Sequence, residues 1–215
     1  MMEMVDVWKR YPIHGGHHQV LKGVNLSVSI GEKLGILGRN GAGKSTMIRL
    51  ISGAERPDQG QVTRKMSVSW PLAFGGAFQG TLTGLDNLRF ICRVYGVDPK
   101  DKVDFVDDFA ELGPFLREPV RTYSSGMRAR LAFALSMVIE FDCFLIDEVV
   151  SVGDSRFTAK CELELFQKRK DRAMIIVSHD VNYLKKHCQK IVLLQDGQIR
   201  TGENIDEVLR IYSKS

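Results

Sequence analysis

Gly38-Arg39-Asn40-Gly41-Ala42-Gly43-Lys44-Ser45-Thr46 carries glycine, lysine and hydroxyl residues at the spacing of a phosphate-binding loop. Each residue type answers to a property of a polyphosphate. Glycines let backbone N–H groups curl around the anion, and a helix starting there adds about half a positive charge. The Lys44 ammonium reaches β and γ oxygens, and the Ser45 hydroxyl can take Mg²⁺. Asp147-Glu148 closes the apolar run that begins at Cys143. Asp147 there is a second Mg²⁺ ligand, directly or through water, and Glu148 can polarise an attacking water as general base or water-positioning group. His179 ends the next such run, Val177-Ser178-His179, where an imidazole donates to a γ-phosphate oxygen or to the water. In Tyr123-Ser124-Ser125-Gly126-Met127, Ser124 or Ser125 is a natural helix cap and Gly126 lets a phosphate approach the backbone. Taken alone, that last segment reads as only a capped helix.

These residues need particular elements to hold them. Leu34-Gly35-Ile36-Leu37 is a short apolar run ending in glycines, and helical spacing follows at Ile48, Leu50 and Ile51, so the phosphate motif sits between strand and helix. The runs Cys143–Ile146 and Met174–Val177 read as further strands buried on both faces, each followed by a helical pattern. Crossovers of that kind bring Asp147 and His179 to one sheet edge. Ahead of them, Val24, Leu26, Val28 and Ile30 alternate with Asn25, Ser27 and Ser29, the period of a strand in an antiparallel layer with one face buried. Between Gly84 and Thr122 the spacing of Leu85, Leu88, Val103, Val106 and Phe109 is helical, which predicts a helical insertion, 84–122, into a core made of 1–83 and 123–215. Ile205, Val208, Leu209 and Tyr212 predict a last amphipathic helix.

The 215 residues are 44% apolar and 26% charged, an ordinary globular balance that excludes disorder and collagen. Thirty Lys+Arg against twenty-six Asp+Glu give +4, with no long single-sign block, and no nucleic-acid partner is expected. The charge-free stretch Met66–Leu85 carries Pro71, Gly75, Gly76, Gly80 and Gly84 and reads as loop and strand, not as a membrane span. No secretory signal is visible, and a cytosolic chain is expected. Cys92, Cys143, Cys161 and Cys188 stand far apart, which argues against disulfides and zinc. His14-Gly15-Gly16-His17-His18 has metal-binding residue types, but its glycines and lack of nearby acidic or cysteine ligands favour a loop. The acidic residues Asp98, Asp101, Asp104, Asp107, Asp108 and Glu111 read as the solvated face of the insertion helices.

With the phosphate loop, Tyr123–Met127, Asp147-Glu148, Ser151-Val152-Gly153-Asp154 and His179 in this order, the chain resembles the ATP-binding subunits of ATP-binding-cassette transporters over essentially its whole length. The resemblance implies an α/β fold with a P-loop NTPase core, an antiparallel β layer and a helical insertion lobe. It implies that Tyr11 stacks on adenine and that Gly38 to Thr46 hold ATP. Ser45, Asp147 and Gln79 would hold Mg²⁺, and Glu148 and His179 would act in hydrolysis. Ser124, Ser125, Gly126 and Met127 become the signature that meets the ATP of a second copy, in a dimer with ATP at its interface, and Asp154 belongs to the D-loop. The usual signature is Leu-Ser-Gly-Gly-Gln, and Tyr123, Ser125 and Met127 depart from it. Val152-Gly153 likewise departs from the usual Ser-Ala-Leu-Asp D-loop. In the wider family the Q-loop glutamine lies farther ahead of its Leu-Thr segment than Gln79 does, so Gln79 sits either beside Mg²⁺ and the γ-phosphate or facing the membrane partner.

The departures resemble ATPases that export bacterial surface polysaccharides, above all the capsular type. The segments that carry this are Tyr123–Arg128, Asp147-Glu148-Val149 with Val152-Gly153-Asp154, and Ser69-Trp70-Pro71 with Phe78–Gly84. The expected activity is ATP hydrolysis driving capsular polysaccharide across the bacterial inner membrane. Its partner would be a separate transmembrane permease that holds the chain at the cytoplasmic face. O-antigen exporters often add a C-terminal sugar-binding domain, and none is expected here. Export of O-antigen or teichoic acid, or a cassette ATPase outside transport, is the alternative. A soluble GTPase or small-molecule kinase would share the phosphate loop but not the signature helix, and no Asn-Lys-x-Asp for guanine is present. A DNA-repair or chromosome ATPase would need a far longer heptad insertion than 84–122.

Overall fold

The computed structural model describes residues 1–72, 79–147, 154–202 and 204–213. They form two compact units. The first takes Met1–Pro71, Phe141–Val149 and Lys170–Ser215, and the second takes Leu72–Glu140 and Val150–Arg169.

Two sheets build the first unit. β1 (Met2–Ile13), β2 (Gly16–Val28) and β4 (Gln59–Arg64) pair antiparallel in the order β2-β1-β4. β3 (Lys33–Leu37), β5 (Val68–Pro71), β6 (Cys143–Asp147), β7 (Ala173–Ser178), β8 (Lys190–Gln195) and β9 (Gln198–Arg200) form the other, ordered β5-β6-β7-β3-β8-β9. All its pairings are parallel except β8 with β9. Leu34 and Ile36, Leu145 and Ile146, Ile175 and Val177, and Val192 and Leu193 are buried, which is why these strands read as continuous apolar runs. β2 instead alternates, with Val24, Leu26 and Val28 inside and Asn25 and Ser27 exposed. Ile30 breaks the expected pattern at 70% exposure, because β2 ends at Val28 and the chain turns there. Pro71, which has no N–H to give a ladder, ends β5 at the edge of its sheet. Helices α1 (Lys44–Ser52), α6 (Val181–His187) and α7 (Ile205–Ser213) complete the unit.

The second unit is helical among its described residues. It contains α2 (Gly84–Tyr95), α3 (Lys100–Ala110), short 3-10 turns at Gly113–Arg117 and Val120–Thr122, α4 (Ser125–Val138) and α5 (Ser155–Glu162), which runs on as a π turn over Leu163–Gln167. An aromatic cluster explains why the unit reaches beyond residues 84–122. The Phe109 ring lies 5.6 Å from that of Phe133 and 5.4 Å from that of Phe157, so α3, α4 and α5 share one core. At the start of α2 the Thr83 hydroxyl accepts from the Asp86 N–H at 3.0 Å and donates to the Asp86 carboxylate at 2.6 Å. That hydroxyl holds the Asp86 carboxyl below its ordinary pKa. Thr83→Ala removes the cap and is expected to cost about 1 kcal/mol, lowering the calorimetric midpoint by about 2–4 °C. An unchanged midpoint would mean that solvent replaces the cap at no cost.

Candidate functional site

The end of β3 and the start of α1 flank the loop expected to hold phosphate. A Cβ at Gly38 would stand 2.9 Å from the Leu194 carbonyl oxygen, so the strand can pass β8 there only without a side chain. Gly41 and Gly43 take left-handed φ values of 84° and 106°, which turn the chain back towards its own helix. Lys44, only 8% exposed, lies inside this turn. Its Nζ donates to the carbonyls of Gly38 at 2.8 Å and Arg39 at 3.1 Å. An ammonium has three donors, so two brace the loop and one is left for an anion. Gly43 at the N-cap offers no side-chain cap, and the first turn of α1 carries no acidic residue. The helix N-terminus is therefore electropositive and its N–H groups are not taken by a capping side chain.

An open cavity of about 640 Å³ lies against this helix end. Tyr11, Asn40, Gly41, Gly43, Lys44, Ser45, Thr46 and Asp147 line it, together with His18 and Val20. Arg39 and Ala42 line an adjoining cavity of about 390 Å³ that shares Asn40 and Gly41. Parallel register explains how Asp147 arrives. Asp147 and Ile36 both pair with Val177, which puts Asp147 level with the end of β3, two strands or about 10 Å away. Ser178 pairs with Leu37, so His179, exposed just beyond β7, leaves the sheet level with Gly38. The residues expected at one sheet edge thus meet there in the first unit. Glu148, with Ser151, Val152 and Gly153 of the expected D-loop, lies outside the described residues.

Oxygen donors from Ser45 and Asp147 on one cavity are the hard ligands that Mg²⁺ selects. Tyr11 stands on β1 opposite His18, and its hydroxyl donates to the Glu55 carboxylate at 2.6 Å. The His14–His18 segment, expected as a loop, is a hairpin. His14 and Gly15 make its turn, while His17 and His18 belong to β2. Among the described residues no group of three His, Cys, Asp or Glu is placed to hold a metal. Sequence reasoning missed His18 as a cavity residue and Glu55 as the partner of Tyr11. Strand alternation opposite Tyr11 is the signal that finds the first, and none finds the second.

The remaining candidates belong to the second unit. Ser124 caps α4, its Oγ accepting from the Met127 N–H at 3.2 Å. Ser125 is exposed, and a Cβ at Gly126 would meet nothing nearer than Ser124 Oγ at 3.9 Å, so the backbone there is open to approach. Tyr123, in place of the usual leucine, is buried, and its hydroxyl donates to the Phe115 carbonyl. Its own carbonyl accepts from Arg128 at 2.6 Å. Asp154 caps α5 through the Phe157 N–H at 2.9 Å and pairs with Arg130 of α4 at 3.1 Å, tying α4 to α5. The backbone N–H of Gln79 donates to buried Asn87 at 3.1 Å, and Leu82 donates to the Gln79 carbonyl at 3.0 Å, which leaves the exposed Gln79 side chain on a fixed turn.

Comparison with known proteins extends this geometry. Residues 21–151 match the family described as ABC transporter. The chain is 56% identical over 215 residues to the ATP-binding protein BexA of Haemophilus influenzae, covering all of this chain and 99% of that one. It is 55% identical over 213 residues to the capsule polysaccharide export ATP-binding protein CtrD of Neisseria meningitidis serogroup B, covering 99% of each. Among solved structures, the dimeric post-hydrolysis state of the ATP-binding cassette MJ0796 bound to ADP and Pi has a similar fold. Its TM-score is 0.81 at 22% identity, over 95% of this chain and 99% of that one.

Proposed function

This chain belongs to the ABC transporter family, and from that premise we propose that it is the ATP-hydrolysing subunit of an exporter that drives capsular polysaccharide across the bacterial inner membrane. The observation that carries the substrate is the 55% identity, end to end, with a chain named for capsule polysaccharide export. The cavity supports the chemistry. The triphosphate lies on the N-terminus of α1 against Lys44, with Gly38–Thr46 around it and the adenine on Tyr11. Ser45 and Asp147 would hold Mg²⁺, and Gln79 would be a further ligand or a contact to the membrane partner. When bound, Mg²⁺ neutralises charge on the β and γ oxygens. Glu148 orients the attacking water, and His179 donates to a γ-phosphate oxygen or to that water.

Ser125 and Gly126, with the backbone open above them, meet the γ-phosphate held by a second copy, while Ser124 and Met127 shape that helix end. Asp154 keeps the D-loop joined to the same helix through Arg130. Hydrolysis then needs donors from across a dimer interface, so a lone copy is slow and the paired one fast. Among the described residues no helix is long and apolar enough to cross a membrane. On this reading a separate permease supplies the path and holds the chain at the cytoplasmic face.

Asp147→Asn in the native cell tests the whole proposal. Surface polysaccharide is expected to disappear while polymer accumulates inside, with the variant chain at normal level. Normal surface polymer with that chain present would overturn the export assignment.

A further inference from the structure

Around Tyr11 the structure has more machinery than a half-buried aromatic on a strand requires. The Tyr11 hydroxyl donates to Glu55 Oε2 at 2.6 Å and accepts from Arg49 Nη2 at 3.0 Å. Arg49 Nε pairs with the other Glu55 oxygen at 2.6 Å, closing a three-membered ring of contacts. Lys9 Nζ lies 3.6 Å from Glu55 Oε2, and Lys9 Nζ and Arg49 Cζ stand over the Tyr11 ring at 5.5 and 5.7 Å from its centroid. The loop that carries Glu55 is itself stitched down on both sides. Its Glu55 N–H donates to the Arg49 carbonyl at 3.1 Å, and Arg56 O and Asp58 are bonded to Lys9 and Arg10 of β1. Proximity to Arg49 and the Tyr11 bond keep the Glu55 carboxyl below its ordinary pKa, the Tyr11 bond being the larger cause.

We propose that Glu55 and Arg49 are positioning residues for the nucleotide base, locking the Tyr11 ring as a platform at a set distance from the phosphate loop. Arg49 sits on α1, five residues after Lys44, or about 7.5 Å along the axis. One short helix therefore fixes both ends of the nucleotide: its first turn faces the phosphates and its last turn holds the ring that faces the base. A platform ordered before binding loses no side-chain freedom when the base arrives, so the anchor contributes to affinity without touching the ligand. This deepens the reading of Tyr11 as the adenine-stacking residue and rests on it.

The test compares binding of ATP and of inorganic tripolyphosphate to the full chain by titration calorimetry, for Tyr11→Ala, Tyr11→Phe, Glu55→Gln and Arg49→Met. Disrupting the charged contacts of the Tyr11 hydroxyl, one in Glu55→Gln and Arg49→Met and both in Tyr11→Phe, is expected to weaken ATP about 5- to 10-fold. Tripolyphosphate, which has no base, should bind all of them as it binds the parent chain. Glu55→Gln added to Tyr11→Phe should cost little more than Tyr11→Phe alone, because Tyr11→Phe already removes the Tyr11–Glu55 bond along with the bond from Arg49. If Tyr11→Ala weakens ATP while Glu55→Gln and Arg49→Met bind it normally, the anchor is wrong and the platform stands. Normal ATP binding by Tyr11→Ala would remove the platform itself. Equal weakening of ATP and tripolyphosphate in Glu55→Gln would make Glu55 a support of the fold and overturn its positioning role.

Discussion

Lys44→Ala is expected to lower ATP turnover by the assembled exporter about 10²- to 10³-fold, and to weaken ATP binding as well. The Lys44 ammonium is 8% exposed and spends two donors on the carbonyls of Gly38 and Arg39. On the proposed reading its remaining donor and its charge meet phosphate, and removing one such preorganised donor typically costs that much in rate. The same substitution strips the Gly38 carbonyl of its partner inside the loop, a penalty of about 1–3 kcal/mol. Two readouts therefore move together: phosphate release falls, and the calorimetric midpoint drops by several degrees. Added ATP, which stabilises the parent chain by mass action, should raise the variant's midpoint far less. Turnover within twofold of the parent, at equal folded protein, would take Lys44 out of the phosphate site.

The turn between β3 and α1 was legible because its glycines mark a particular backbone shape. Left-handed turns at Gly41 and Gly43 and a close pass at Gly38 admit almost no other residue, so the need is written at three spaced positions. Strands β3, β6 and β7 were legible because burial on both faces leaves uninterrupted apolar runs, and their parallel pairing then brings Asp147 and His179 to one edge. The extent of the helical unit was not. Its reach depends on Phe133 and Phe157 stacking with Phe109, and a phenylalanine at a helical position says only that something covers it. Nor was the Tyr11 anchor, since Glu55 lies 44 residues away and an ion pair between half-exposed side chains leaves no periodic trace. Ser124 shows the opposite case: of the two serines whose type suits a helix cap, it is the one that caps α4.

Glu148→Gln separates binding from chemistry more sharply than Lys44→Ala does. Asp147, one residue before it, lines the cavity at the start of α1, and on the proposed reading Glu148 is the carboxylate that accepts from the attacking water. Glutamine keeps the size and a carbonyl acceptor but cannot take the proton, so turnover is expected to fall about 10²- to 10⁴-fold with ATP affinity unchanged. The same substitution bears on assembly. If two copies close on ATP through Ser125 and Gly126, a copy that binds without hydrolysing should stay closed. Size-exclusion chromatography with ATP and Mg²⁺ is then expected to show a dimer for Glu148→Gln and a monomer for Lys44→Ala, which cannot hold the triphosphate. Adding Ser125→Arg to Glu148→Gln should break that dimer while ATP still binds, since the arginine would fill the open space at the start of α4. A dimer that survives Ser125→Arg would place the interface elsewhere on the chain. Unchanged turnover in Glu148→Gln would assign the water to a different group, and His179 would be the next residue to replace.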